Sequence, residues 1–217
     1  MSSKITVLKL VEARKNYKRQ FSISEMYRGA VIAPRAMAKL KANKKSKTID
    51  QHFVKRIQLA VTQVNGCAIC SYGHAQMALQ QGMDKEEIKR FLSEDGAGDF
   101  LNADEAKAIL FAQHFADSRA FPKQYSYEAI VKEYGSEKAA VILAAAQMMM
   151  VGNMYGIPIS AFISRWKGKA YHKSNLFYEL GMLVAELIIL PVGLIHGSIK
   201  AALGLTKDRF DTSPDTL

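Results

Sequence analysis

Cysteine is scarce in this chain, with two residues in 217. That scarcity excludes a disulfide-stapled scaffold and turns attention to what a single pair can do. The opening residues, Met1-Ser-Ser-Lys4 onward, hold no continuous apolar run of the kind a secretory leader needs, so the expected compartment is the cytoplasm. No glycine-rich phosphate loop, internal repeat or low-complexity tract is found. No recognised nucleic-acid module accompanies the basic residues, and nucleic acid is not an expected partner.

What is there is a globular composition: 49% hydrophobic and 23% charged residues, enough for one sizeable core. The net charge of +10 is uneven. Residues 1–56 carry 15 Lys/Arg against 3 Asp/Glu, and residues 57–217 carry 15 against 17. The excess reads as a solvated basic face on the N-terminal quarter.

The apolar residues recur mainly at helical spacing. Residues 4–20 read as an N-terminal helix, and Ser22 or Ser24 caps a second one to about Leu40, which Pro34 should kink or divide. Lys41 to Lys47 reads as a basic linker. Ile49, Phe53, Val54, Ile57, Val61 and Val64 mark an amphipathic helix. A further helix runs from Cys67 to about Gly82. Asp84 with Glu87 starts a short one to about Ser93, and Asp95 to Asp99 reads as a loop. Asn102 with Glu105 starts the next helix, buried through Ala108, Phe111, Ala112 and Phe115. Residues 126–134 form a short helix closed by Gly135. A long apolar helix follows from Glu137 to Tyr155, broken by Asn153 to Pro158, and its Met148 to Met150 are candidates to line an apolar pocket. Leu176 to Leu205 is strongly apolar, but Glu179, Glu186 and Pro191 interrupt it and argue against a membrane span. It is expected to pack against another subunit or rest at a membrane surface, with Arg165, Lys167, Lys169 and Lys173 as headgroup contacts. Asp208 to Leu217 reads as frayed. The expected division is a basic helical segment over 1–46, a core over 47–170 and a hydrophobic appendage over 171–217.

The chemistry concentrates in Val64-Asn-Gly-Cys67-Ala-Ile-Cys70-Ser-Tyr-Gly-His74. Asn65-Gly66 signals a turn, which places both cysteines in the first helical turn with His74 on the same stripe. Free N–H groups and the positive end of the helix dipole favour a thiolate there, and an imidazole reaching back toward Cys70 can take its proton. Three other readings stay open at this point. The cysteines can be buried small hydrophobes with His74 as a core histidine. Cys67, Cys70 and His74 can be zinc ligands, although a second ligand pair is missing, and no metal or other cofactor is expected. A thioredoxin-like module would need strands that do not adjoin the motif.

Leu59 to Ala75, with Ala78-Leu-Gln-Gln-Gly82 and Glu86-Glu-Ile88, resembles the core of the alkylhydroperoxidase D/carboxymuconolactone decarboxylase family. The resemblance implies an all-α fold, here with N- and C-terminal helical extensions, and a homo-oligomer. It also implies a cysteine-pair peroxidase that reduces hydroperoxides and is restored by an external dithiol of protein or lipoyl type. In redox members a glutamate ahead of the first cysteine joins a proton relay with the histidine. The corresponding position here is Lys55, and Ile69 stands where such members can have a second histidine. The expected roles are Cys70 as attacking thiolate, Cys67 as resolving thiol and His74 as general base and later acid. His52 and Lys55 are candidate accessories, Glu25 and Glu128 candidate replacements for the relay carboxylate, and Tyr155 a candidate hydrogen-bond donor near the site. The alternative function is a redox sensor or binding protein of the same fold.

Overall fold

Residues that cap a helix, or cannot continue one, set the element boundaries. In the computed structural model, which describes residues 18–92 and 104–213, Ser22 opens α1 (Ile23–Ser46) with a capping box. The Glu25 N–H donates to Ser22 Oγ, and the Ser22 N–H donates to the Glu25 carboxylate at 2.8 Å. Asp50 caps α2 (Gln51–Asn65) by accepting from the N–H groups of His52 and Phe53. Gly66, at φ 70°, ends α2, and Cys67 directly caps α3 (Ala68–Gln80). Asp84 accepts from Glu86 and Glu87 at the start of α4 (Lys85–Leu92). Then follow α5 (Ala106–Asp117), α6 (Gln124–Trp166) and α7 (Leu176–Ala202), the last capped by Asn175. The described residues contain these seven helices, no β-strand, and one isolated bridge between Lys123 and Asp211. The fold is all-α.

The centre is α6, which is apolar almost all round and buried from Ala139 to Ala161 on most faces. Against it pack α1, α2, α3, α5 and α7. Ile57, Ile142, Met149, Met150 and Ile157 are fully buried there, each stabilising by roughly 1.5–3 kcal/mol relative to exposure. Gly135, at φ 79° and ψ 160°, divides the first turns of α6 from the rest, where the sequence places that boundary.

Several expectations are corrected. Pro34 does not divide α1, and the expected linker 41–47 is helical through Ser46. Pro158 does not end the long helix, which continues to Trp166, and Pro191 lies within an unbroken α7. A proline in a helix costs about 3 kcal/mol in lost hydrogen bonding and ring clash. Packing on both sides of each proline outweighs that local cost. The segment after Asp208 is not frayed as far as Ser213. Asp208 pairs with Arg35 and accepts from Gln147, Phe210 stacks on Tyr127 at 4.8 Å, and the Asp211 backbone bonds both Gln124 and Pro122. The expected N-terminal helix falls almost wholly outside the described residues, as do the expected loop at 95–99 and the Asn102 cap.

The acidic residues of α7 turn inward. Glu179 is fully buried, and its carboxylate accepts from Arg165 at 2.6 and 2.9 Å and from Ser174 at 2.6 Å. Arg165 is thus committed to this ion pair rather than to a headgroup. Glu186 is also buried. The side of α7 away from the protein is apolar and uncharged, with Phe177, Leu180, Val184, Leu187, Ile188, Val192, Ile195, Ile199 and Leu203 exposed. By length and composition both α6 and α7 suffice to cross a membrane. The apolar window of α6 is 78% buried in this fold and that of α7 only 22%.

Candidate functional site

Two helices and one turn build the site. The turn Asn65-Gly66 is pinned to α6 by a buried polar network. Asn65 Nδ2 donates to Asn153 Oδ1 at 3.0 Å and lies 3.1 Å from Met150 Sδ, and Asn153 Nδ2 donates to Thr62 Oγ1 at 2.9 Å. All three polar residues are completely buried, where leaving such groups unpaired costs about 1–3 kcal/mol each. The start of α3 is therefore held against α6 from both sides of the turn.

Cys67 caps α3 with its sulfur, accepting from the Cys70 N–H at 3.4 Å in the place a serine or threonine oxygen usually takes. The two sulfurs are joined in a disulfide with Cα atoms 5.3 Å apart. Cys67 is 0% exposed, whereas Cys70 is half-buried and Ile69 between them is exposed. The wall opposite is α6. Cys70 Sγ lies 3.4 Å from the carbonyl oxygen of Gly152, and a Cβ placed on Gly156 would lie 2.7 Å from Cys70 Sγ.

His74 follows one turn after Cys70 on the same helix and is half-buried. Its Nδ1 is sealed from solvent and, among the described residues, neither ring nitrogen has a hydrogen-bond partner. Burial, and then the charge of Lys55, lower its pKa from 6.5 to about 4. Lys55 reaches this neighbourhood from α2, donating to Gln58 Oε1 at 3.3 Å, and burial lowers its own pKa. The imidazole is accordingly neutral at pH 7, and the nearby charge that acts on it is that of Lys55.

The other candidates lie elsewhere. His52 bonds the carbonyl of Gln81 at 2.7 Å, at the far end of α3, 11 residues and about 16 Å along the helix from Cys70. Glu25 is bound by Arg119 and Ser22, and Glu128 accepts from Gln124. Neither carboxylate pairs with His74. Tyr155 donates to the Met26 carbonyl at 3.0 Å. The described residues hold no group of three or more His, Cys, Asp or Glu placed to bind a metal ion.

Residues 33–113 match the family model of the carboxymuconolactone decarboxylase family. The match covers 81 of the 217 residues. It runs from the second half of α1 to α5 and includes Lys55, Cys67, Cys70 and His74. No curated protein and no solved structure matches the chain. The matched stretch contributes both cysteines, but Gly152, Asn153 and Gly156, which wall and anchor them, lie beyond it on α6. Sequence reading missed all three. The available signal was the pair of glycines four residues apart within an otherwise apolar helix, the mark of a close approach.

Proposed function

We propose that this chain is a thiol–disulfide redox protein whose Cys67–Cys70 couple reduces a hydroperoxide and is restored by an external dithiol of protein or lipoyl type. The observation that carries this reading is the joined pair at the start of α3, with Cys70 reachable from solvent and Cys67 sealed behind it. In the reduced protein the helix N-terminus favours the Cys70 thiolate. Its sulfur attacks the distal peroxide oxygen, the O–O bond breaks, and the alcohol leaves with a proton, leaving Cys70 as a sulfenic acid. The Cys67 thiol then displaces water to form the disulfide, and two thiols of the reductant take up the oxidation. Neutral His74 is a proton acceptor one turn away.

The test is a thiol count. Reduced protein should lose two thiols per chain on adding a hydroperoxide, and Cys70→Ser should abolish peroxide consumption. Consumption at the wild-type rate in that variant would overturn the mechanism.

One observation favours a second reading, a sensor that oxidises once without efficient turnover. His74 has no carboxylate partner, and Lys55 stands beside it. Peroxide consumption over many equivalents with a generic dithiol present supports the peroxidase, and a single equivalent per chain supports the sensor. For assembly, the reading is a homo-oligomer with the outer face of α7 as its contact. That face is a strip of roughly 40 Å by 10 Å, about 400 Å². It is apolar and uncharged, so a second copy would meet no like charge on it.

A further inference from the structure

A cavity of about 380 Å³ opens between α1, the end of α5, α6 and the docked tail, within the size range of small-molecule sites. It is not the cysteine site. At about 100° per residue, Leu143, Gln147, Met150 and Met154 on α6 face it, while Gly152 and Gly156 face the sulfurs from the opposite side of that helix.

The wall is apolar, formed by Phe115, Leu143, Met150, Val151 and Met154. The two methionines let it adapt to a flexible guest. The mouth carries five charged groups, Glu25, Arg28, Arg119, Asp208 and Arg209. Internal pairing accounts for both acids. Glu25 receives two bonds from Arg119, at 2.6 and 2.8 Å, and Asp208 is held by Arg35 and Gln147. Two guanidinium groups are left over. Arg28 makes no ion pair or hydrogen bond among the described residues. Arg209 lies over the Phe121 ring at 5.3 Å, which orients it without neutralising it.

We propose that this cavity binds a medium-chain aliphatic carboxylate, with its tail along the α6 wall and its head between Arg28 and Arg209. At about 30 Å³ per non-hydrogen atom, the volume a water occupies in the liquid, the space holds roughly a dozen such atoms. A ten-carbon acid has that size. A cationic guest would meet two unpaired arginines, and a purely apolar one would leave them unused.

Calorimetric titration of the full chain with decanoate tests the proposal, with 1-decanol as the uncharged control. The expected result is one decanoate per chain. An Arg28→Gln/Arg209→Gln double variant should bind it at least tenfold more weakly while its binding of 1-decanol is unchanged. Leu143→Trp, which fills the wall, should lose both ligands, and Val151→Phe serves if circular dichroism shows that variant misfolded. A Cys67→Ser/Cys70→Ser variant should bind decanoate as the wild type does, because neither cysteine lines the cavity. No saturable binding by the wild type would overturn the proposal, as would equal affinity for decanoate in the arginine double variant.

Discussion

At Gly156 the sulfurs leave no room for a methyl group, since an added Cβ would lie 2.7 Å from Cys70 Sγ, 2.9 Å from Cys67 Sγ and 3.1 Å from Ile69. Alanine is the better helix former by about 1 kcal/mol, while overpacking a core costs about 1–3 kcal/mol. Gly156→Ala is therefore expected to lower stability by up to roughly 2 kcal/mol, read as a lower urea midpoint in the oxidised protein. An unchanged midpoint would show that α6 can withdraw. His74 makes a prediction of opposite origin. Unfolded, its ring takes a proton near pH 6.5, but folded only near pH 4, so stability falls as pH drops through that window. Glu186 works the other way. Burial raises its pKa from 4.5 to about 7, so its protonated form is the one the fold accommodates, and its contribution is lost as pH rises from 4.5 to 7. The two slopes oppose each other between pH 4.5 and 6.5. Unfolding midpoints across pH 4–8 should therefore fall more steeply on the acid side in Glu186→Gln and rise there, relative to the wild type, in His74→Gln. Identical profiles in all three proteins would remove both assignments. The cysteine pair and His74 are legible in the sequence because i, i+3 and i+7 spacing is local geometry. Gly156 is not legible as a site residue, because its partner lies across a helix contact.

Among the elements, α7 shows how close approach depends on single positions. A Cβ on Gly197 would lie 2.2 Å from the carbonyl oxygen of Val31 on α1, and one on Gly193 2.5 Å from the Ala30 Cβ. The α1 backbone cannot shift as readily as side chains can, so Gly197→Ala should cost more than Gly156→Ala, roughly 3 kcal/mol. Gly181, on the same helix with nothing within 4 Å, is the control, and Gly181→Ala should stabilise by about 1 kcal/mol. Chemical denaturation of the two variants checks the contrast, and equal effects would show that α7 does not seat on α1 as described. The three internal prolines carry the same lesson about legibility. Pro34 and Pro158 read locally as breakers, and there, as at Pro191, the helix continues because its flanks are held by packing the local pattern does not record.

For the molecule as a whole, the proposed contact between copies rests on the outward face of α7. Phe177 is 90% exposed and Leu187 78%, an arrangement that favours association. Light scattering should give a mass above that of one chain, and a Leu187→Lys/Ile195→Lys double variant should return the single-chain mass. An unassociated wild type would leave α7 without that role. By itself the sequence determined the helical class, a cap at Ser22 or Ser24, the cap at Asp84, the Gly135 boundary and the C-x-x-C motif with His74, because each depends on neighbours within a turn or two. Only the tertiary structure decided that Cys67 is sealed and Cys70 reachable, that neither Glu25 nor Glu128 pairs with His74, that the acids of α7 turn inward, and that the tail closes a cavity. Those outcomes depend on which faces of distant helices meet, and that is set by the packing of the whole core around α6.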